Sequence, residues 1–300
     1  MNVVAGATFD FDVCIVGSAN LDLVATVPEL PGPGETVSGD TYAEYPGGKG
    51  LNQAVAAARA GASVAFVGAV GDDAAGVTLR SVLISDGIDA SHLRTVEVPS
   101  GRALIGVATS GENSIMVVPG ANETITADAV PSARVLLAQL EVPSAAVESA
   151  FINARAAGSL TVLNPSPAHA IDESILRLAD IIVPNEHEIQ ELGGAERLLG
   201  LGAKAVVITL GSRGADVHSP DGITHIDPFV ITPVDTTAAG DSFCGSLCAR
   251  LAAGDELLTA LHFASAAGAL CAMKSGAVPS IPKRSEIEAL LQSSRRNSDR

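Results

Sequence analysis

Two carboxylates bracket a run of small residues in Asp235-Thr236-Thr237-Ala238-Ala239-Gly240-Asp241-Ser242-Phe243. Phe243, Leu247 and Leu251 then recur at i, i+4 and i+8, the apolar stripe of a helix that begins just after the small residues. Unpaired N–H groups and the positive end of the helix dipole at such a start favour an anion such as phosphate. Gly240 and the two alanines leave room for it. Asp241 stands at the same spot, where a carboxylate repels the anion. The stretch alone leaves two roles open for Asp241: an N-cap, or a group that does chemistry on the bound anion.

Other polar groups sit where a second reactant would be held. Asn20 and Asp22 are one residue apart, directly after the β-rich run 12–17, so an extended backbone points both to one side. An Asx turn is the alternative. Pro46-Gly47-Gly48-Lys49-Gly50-Leu51-Asn52-Gln53 leads into an Ala-rich helix at 54–60 and outlines a phosphate loop, although the Walker spacing is absent. A tight turn with a solvated Lys also explains it. Glu141 closes the expected strand 134–140, Asn164 closes 160–163, Asn185 and Glu188 follow 180–183, and Ser212 and Arg213 follow 204–210. Open α/β folds bind ligands at the carboxyl ends of their strands, so one cleft there would collect these groups.

The elements that must position them follow from periodicity. From residue 63 the chain alternates strand and helix: strand 63–68, then helix 72–86 with Val77, Val82 and Leu83 on one side, then strand 134–140 and helix 144–157. This βα repeat implies an α/β fold with a mostly parallel central sheet flanked by helices and right-handed crossovers. Two alternating pairs, 23–27 with 36–45 and 102–109 with 114–119, are excursions from that body. They are expected to combine into a small β-sheet lid built from about 23–46 and 100–119. A helix at 256–273 and a short one at 285–291 follow, and the polar run 293–300 is expected to fray. No repeat or low-complexity linker divides the chain, so residues 1–300 read as one domain.

Composition limits the function classes. The chain is 47 % hydrophobic but only 3 % aromatic, so its core is aliphatic, as a helix-covered parallel sheet requires. A formal charge of −16 argues against nucleic acid or an anionic membrane as partner, since both need a basic footprint. The cysteines Cys14, Cys244, Cys248 and Cys271 form no C-x-x-C pair and read as reduced thiols of a cytoplasmic protein. No basic-then-apolar leader and no run of about 18 apolar residues occurs.

The blocks Asn20-Leu21-Asp22, Gly47-Gly48-Lys49-Gly50-Leu51-Asn52, Asn185-Glu186-His187-Glu188 and Asp235-Thr236-Thr237-Ala238-Ala239-Gly240-Asp241 stand in the order of the ribokinase-type (PfkB) sugar kinases. The chain resembles that family from about residue 12 to about residue 291. The resemblance implies transfer of the γ-phosphate of ATP to the primary hydroxyl of a sugar, with D-ribose as leading substrate. Another sugar or a nucleoside is the runner-up, and a non-catalytic sensor the reading from another class. Asp241 would be the general base, with the amides of Ala238, Ala239 and Gly240 as anion hole. Asn20, Asp22, Gly48, Lys49, Asn52 and Glu141 would bind the sugar. Asn185 and Glu188 would order Mg²⁺ and the phosphates, with His187 a bystander. Thr209, Gly211, Ser212, Arg213, Gly214, Gly240 and Ser265, together with Asn185, would contact the nucleotide. Asp235, Thr237, Cys271, Lys274, Gly276 and Ser280 would hold K⁺, several through backbone carbonyls. The resemblance also favours a homodimer paired through the lids. Three departures stand out: the segment between Glu188 and Lys204 is short by much of one helix, Ser265 stands where the family tends to have a polar ring near adenine, and Leu51 stands where Ala is frequent. A nicotinamide-dependent oxidoreductase would need G-x-G-x-x-G after the first strand, which Gly17-Ser18-Ala19-Asn20-Leu21-Asp22 lacks.

Overall fold

A computed structural model describes residues 8–168 and 171–298. Of the expected single domain, residues 1–7, 169–170 and 299–300 lie outside the described residues. In chain order the elements are β1 (Phe11–Val16), β2 (Asn20–Val27), β3 (Thr41–Gly47), α1 (Lys49–Arg59), β4 (Val64–Gly71), α2 (Ala74–Ser85), β5 (Leu93–Val96), β6 (Gly101–Ala108), β7 (Asn113–Val118), β8 (Ala133–Ala138), α3 (Ser144–Ala156), β9 (Leu160–Leu163), α4 (Glu173–Leu178), β10 (Ile181–Ile182), α5 (Glu186–Glu191), α6 (Ala195–Gly200), β11 (Ala205–Thr209), β12 (Ala215–Ser219), β13 (Gly222–Ile226), α7 (Ala239–Ala252), α8 (Leu257–Ala272) and α9 (Arg284–Ser298).

The central sheet runs β13-β12-β11-β10-β9-β8-β1-β4-β5. It is parallel from β5 to β11, and only β12 and β13 run antiparallel at one edge. Alternation along β1 shows how both faces are covered: Val13 and Ile15 join the apolar cluster with α1, α7 and α8, whereas Cys14 and Val16 join the cluster with α3 to α6. β1 pairs with β4 on one side and β8 on the other. The chain order reverses there, so a crevice opens beyond the carboxyl ends of β1 and β8. The second sheet, β3-β2-β6-β7, is made from the two excursions, joined by parallel pairing of β2 with β6. The α/β architecture with a separate small sheet is the expected one.

Packing decides where α1 and α7 lie, and with them the site. α1 is buried from Gly50 to Ala57, and the polar side chains in that run are Asn52 and Gln53. Small residues let α7 approach it closely: a Cβ on Gly245 would lie 2.2 Å from the Gln53 carbonyl and 2.7 Å from Ala56 Cβ. The contact therefore sets the distance between Asp241, on the first turn of α7, and the first turns of α1.

Several local expectations change. Val77 is 68 % exposed, and the buried stripe of α2 is Ala75, Leu79 and Leu83. The helix starts at the Asp73 cap, which accepts from the Gly76 N–H, and this phase puts i, i+4, i+8 at 75, 79 and 83. β5 and the β12–β13 hairpin are additions at the sheet edges. The short stretch after Glu188 folds as two six-residue helices, α5 and α6. α9 runs to Ser298, past residue 291. No helix of the described residues is long and apolar enough to cross a membrane.

Candidate active site

Asp241 lies on the first turn of α7, 7 % exposed, with both oxygens held by amides of α1. Asn52 Nδ2 donates to Oδ2 at 3.0 Å, and Gln53 Nε2 donates to Oδ1 at 2.9 Å. No side-chain bond caps α7, so Asp241 is not its N-cap. That position belongs to Ala238, whose φ of 59° is the one left-handed backbone at a non-glycine among the described residues. Such strain at a helix start is kept where the turn must face a ligand. The turn is closed by Ala239 N–H donating to Thr236 O and Ser242 N–H donating to Ala238 O. The N–H groups of Gly240 and Asp241 are left pointing out of the helix end, and a Cβ on Gly240 would meet only open space.

The helix end opens into a cavity lined by Lys49, Asn164, Ser166, Val183, Asn185, Glu188, Thr209, Thr236, Ala238, Gly240, Asp241 and Cys244. Lys49 is the cation of this cavity. Burial works against its charge, but Asp241, Glu141 and Glu188 together more than offset this and hold its pKa above the ordinary lysine value. An ammonium so placed, beside backbone donors, suits a phosphate. Glu188, 6 % exposed, faces it from α5. Asn185 caps α5 and forms a capping box: Asn185 Oδ1 accepts from the His187 and Glu188 N–H groups, and Glu188 Oε2 accepts from the Asn185 N–H. The Asn185 side-chain oxygen is thus committed to ordering Glu188. His187 turns outward and meets Glu191.

Asn20 and Asp22 stand where β1 leads into β2. Asn20 and Asp22 begin β2 rather than a loop. Asn20 Oδ1 accepts from Asn122 Nδ2 at 2.7 Å, and Asn122 Oδ1 accepts from the Ala19 N–H. Asn20 therefore presents its amide N–H₂ to the crevice. The Asp22 carboxylate packs over the neighbouring strand where only glycine fits, since a Cβ on Gly47 would lie 2.2 Å from Asp22 Oδ2. Burial, then the nearby Glu141 and Asp241, push its pKa up to about 7. Glu141 Oε2 accepts from Ser18 Oγ at 2.6 Å and from the Lys49 N–H at 3.1 Å, tying β8 to the start of α1 across the crevice. Gly48, with φ 88°, lets the chain turn into α1 there. Asn52 Oδ1 is buried with no hydrogen-bond partner among the described residues, an acceptor for a ligand hydroxyl.

Behind the helix start, Asp235 Oδ1 accepts from the Thr237 N–H and Oδ2 from the Gly276 N–H, both at 2.9 Å. Burial raises the Asp235 pKa, but its bonds to Thr237 and Gly276 outweigh this and hold it below the ordinary value. Cys271 Sγ lies 3.0 Å from Ser280 Oγ and 3.6 Å from Thr237 O. The Lys274 ammonium turns away to Glu286 at 2.8 Å. Asp235, Thr237, Cys271, Gly276 and Ser280 are thus one cluster, and Lys274 joins it by its backbone N–H on Cys271 O. The cluster offers one carboxylate among carbonyl and hydroxyl oxygens. No cluster of three or more His, Cys, Asp or Glu among the described residues could hold a metal.

The cavity lining thus gathers Lys49, Asn185, Glu188, Thr209, Ala238, Gly240 and Asp241 from the expected set. Gly211, Ser212 and Arg213 form a 3₁₀ turn after β11 outside that lining, followed by Gly214, and the Arg213 guanidinium pairs with Glu186. Ser265 sits on α8, one turn before Gly268, where a Cβ would lie 3.1 Å from the Ala239 carbonyl oxygen. Gln53 and Asn122 were not assigned roles from the sequence, whereas Asn164, expected at the cleft as a strand-end polar group, does line the cavity. Gln53 carried a signal: a wholly buried Gln in an Ala-rich helix must find partners.

Comparison with known proteins agrees with this geometry. The family model described as pfkB family carbohydrate kinase matches residues 10–284. A ribokinase of Haemophilus influenzae is 39 % identical over 298 residues, covering 93 % of this chain and 97 % of that protein. The crystal structure of a ribokinase from Thermotoga maritima superposes with a TM-score of 0.87 at 33 % identity, covering 94 % of this chain and 99 % of that one. That of the Arabidopsis thaliana ribokinase, complexed with ribose and ATP, gives 0.88 at 30 % identity with the same coverage. With the family model matching residues 10–284 and relatives this similar over nearly all its length, the chain belongs to the pfkB family of carbohydrate kinases.

Proposed function

We propose that the chain is an ATP-dependent kinase that phosphorylates the primary 5-hydroxyl of D-ribose, releasing ADP and ribose 5-phosphate. The observation that carries this is Asp241, buried between two amide donors and facing both the phosphate cavity and Asp22. Similarity to ribokinases over nearly the whole chain supports ribose as the sugar. Asp22 accepts two hydrogen bonds from a vicinal diol, Asn20 donates one, and Asn52 Oδ1 accepts another. Asp241 takes the proton of the attacking hydroxyl as that oxygen bonds to the γ-phosphorus and the bond to ADP breaks. The amides at the start of α7 and the Lys49 ammonium hold the charge on the transferring group. Glu188, ordered by Asn185, faces the phosphates through water, as Mg²⁺ favours one or two carboxylates, phosphate oxygens and retained waters. Bound Mg²⁺ would neutralise charge on the phosphate oxygens.

The Asp235 cluster fits K⁺, which prefers several hard oxygens around one negative charge, and its place directly behind Ala238 would let the cation stiffen the anion seat. The small sheet acts as a lid over the sugar. All of β7 is exposed, with Ile115 and Val117 on one face and Met116 and Val118 on the other. An edge strand apolar on both faces suits pairing with a second copy. Light scattering should give twice the chain mass; a monomer at micromolar concentration would refute the lid-paired dimer. ADP release over ribose, 2-deoxyribose, fructose and adenosine, with K⁺ or Na⁺, tests the rest. Ribose should give the highest kcat/KM and K⁺ should raise the rate. Preference for another substrate would overturn the ribose assignment, and equal rates in both salts would remove the cation role.

A further inference from the structure

Gln53 is 0 % exposed and lies directly against the base. Its two amide hydrogens go to Asp241 Oδ1 at 2.9 Å and to Asn164 Oδ1 at 3.0 Å. Its own oxygen accepts from Gln139 Nε2. Asn164 Nδ2 in turn donates to Val183 O at 2.9 Å. Both ends of this chain accept: the Asp241 Oδ1 that takes the Gln53 N–H and a backbone carbonyl at Val183. Each end forces the orientation of the amide beside it, and the two requirements meet at Gln53 without conflict. No hydrogen of its amide is spare, so rotating it would break bonds at both ends. The direction has a cost, visible at Gln139, whose Oε1 is buried with no partner among the described residues. An unpaired buried oxygen is unfavourable. It is retained because turning Gln139 over would remove the donor that fixes Gln53.

These amides come from three separate elements: Gln53 from α1, Gln139 from the end of β8, and Asn164 from the end of β9. We propose that Gln53 is a positioning residue for the phosphoryl-transfer step: it fixes the Asp241 carboxylate plane and aims the Oδ2 lone pair that Asn52 leaves free at the attacking hydroxyl, locked in turn by Gln139 and Asn164. This rests on Asp241 being the base. The relay also explains why a long polar side chain occupies a helix face otherwise filled by alanine.

A double-mutant cycle tests it, with steady-state kinetics of Gln53→Met, Gln53→Glu and Gln139→Met in the wild-type and Asp241→Asn backgrounds. Gln53→Met keeps length and packing but loses the donor; Gln53→Glu keeps the shape and sets a second carboxylate against the first. Both should lower kcat by about tenfold to a hundredfold while KM for sugar and ATP moves less than about threefold, because displacing a reacting group costs rate rather than binding. Gln139→Met should give a smaller loss in the same parameter. In the Asp241→Asn background, Gln53→Met should cause no further loss in the residual rate. Wild-type kcat in Gln53→Met, or the same fold-loss in both backgrounds, would overturn the proposal. An Asp241→Asn enzyme of near wild-type rate would instead overturn the assignment of the base. Thermal melts establish that each variant is folded; should Gln53→Met fail to fold, the isosteric Gln53→Glu and the remote Gln139→Met carry the same comparison.

Discussion

Asp241→Asn is expected to lower kcat by about a hundredfold to ten-thousandfold, the range typical of losing a general base. Binding of ATP and ADP should stay within a few-fold, because the anion seat is backbone, from Ala238 to Asp241, and its geometry comes from the left-handed turn at Ala238. The substitution removes the proton acceptor without removing the helix end. It also leaves one of the two donors, from Asn52 or Gln53, facing an N–H₂ group instead of an oxygen. A modest loss of thermal stability should therefore accompany the loss of rate. Calorimetric titration with ADP separates the two effects. Retention of more than about a tenth of wild-type kcat would remove Asp241 from the role of base.

The second large effect is on sugar binding. Asp22→Asn is expected to raise KM for the sugar by roughly a hundredfold, since a carboxylate that accepts two hydrogen bonds is replaced by a group that accepts on one side only. kcat at saturation should change far less. A pH dependence goes with this. The Asp22 carboxyl is pushed up to about 7 by burial and by the charges of Glu141 and Asp241. Below that pH the ligand-free enzyme carries the protonated form, and a diol prefers the ionised one. Sugar binding therefore takes the proton off, and by linkage the affinity rises with pH up to about 7 and levels off above it. The apparent KM should fall by up to tenfold per unit as pH rises towards that value, and Asp22→Asn should abolish the slope. A KM that is flat between pH 5.5 and 8 in the wild type, roughly the span over which this group titrates, would contradict the assignment.

Much of this was readable from the chain. The parallel sheet was, because its strands are short apolar runs, and β4, β8, β9 and β10 are each followed by a helix. The acid at the start of α7 was, because a carboxylate beside an anion-binding helix end conflicts with a purely structural role. The small sheet was, because two alternating segments interrupt the βα repeat. What escaped depends on contacts far apart in sequence. Asn122 matters only because it meets Asn20, 102 residues away. Gln53 matters because Asp241, 188 residues away, is brought to it by the close approach of α7 at Gly245. Val77 was misplaced because a valine can satisfy a helical stripe at several phases, and the cap at Asp73 chooses the phase. The β12–β13 hairpin escaped because β12 alternates over only five residues and the adjacent Thr224 and His225 break the alternation of β13, while pairing to β11 holds it in place.

Phosphorus NMR of the product made from ATP and uniformly carbon-13-labelled ribose tests the central claim most directly. The expected spectrum is one new phosphomonoester, coupled to C5 of the sugar, formed in step with ADP and absent with Asp241→Asn. ADP accumulating with inorganic phosphate and no sugar ester, or an ester coupled to C1, would contradict it.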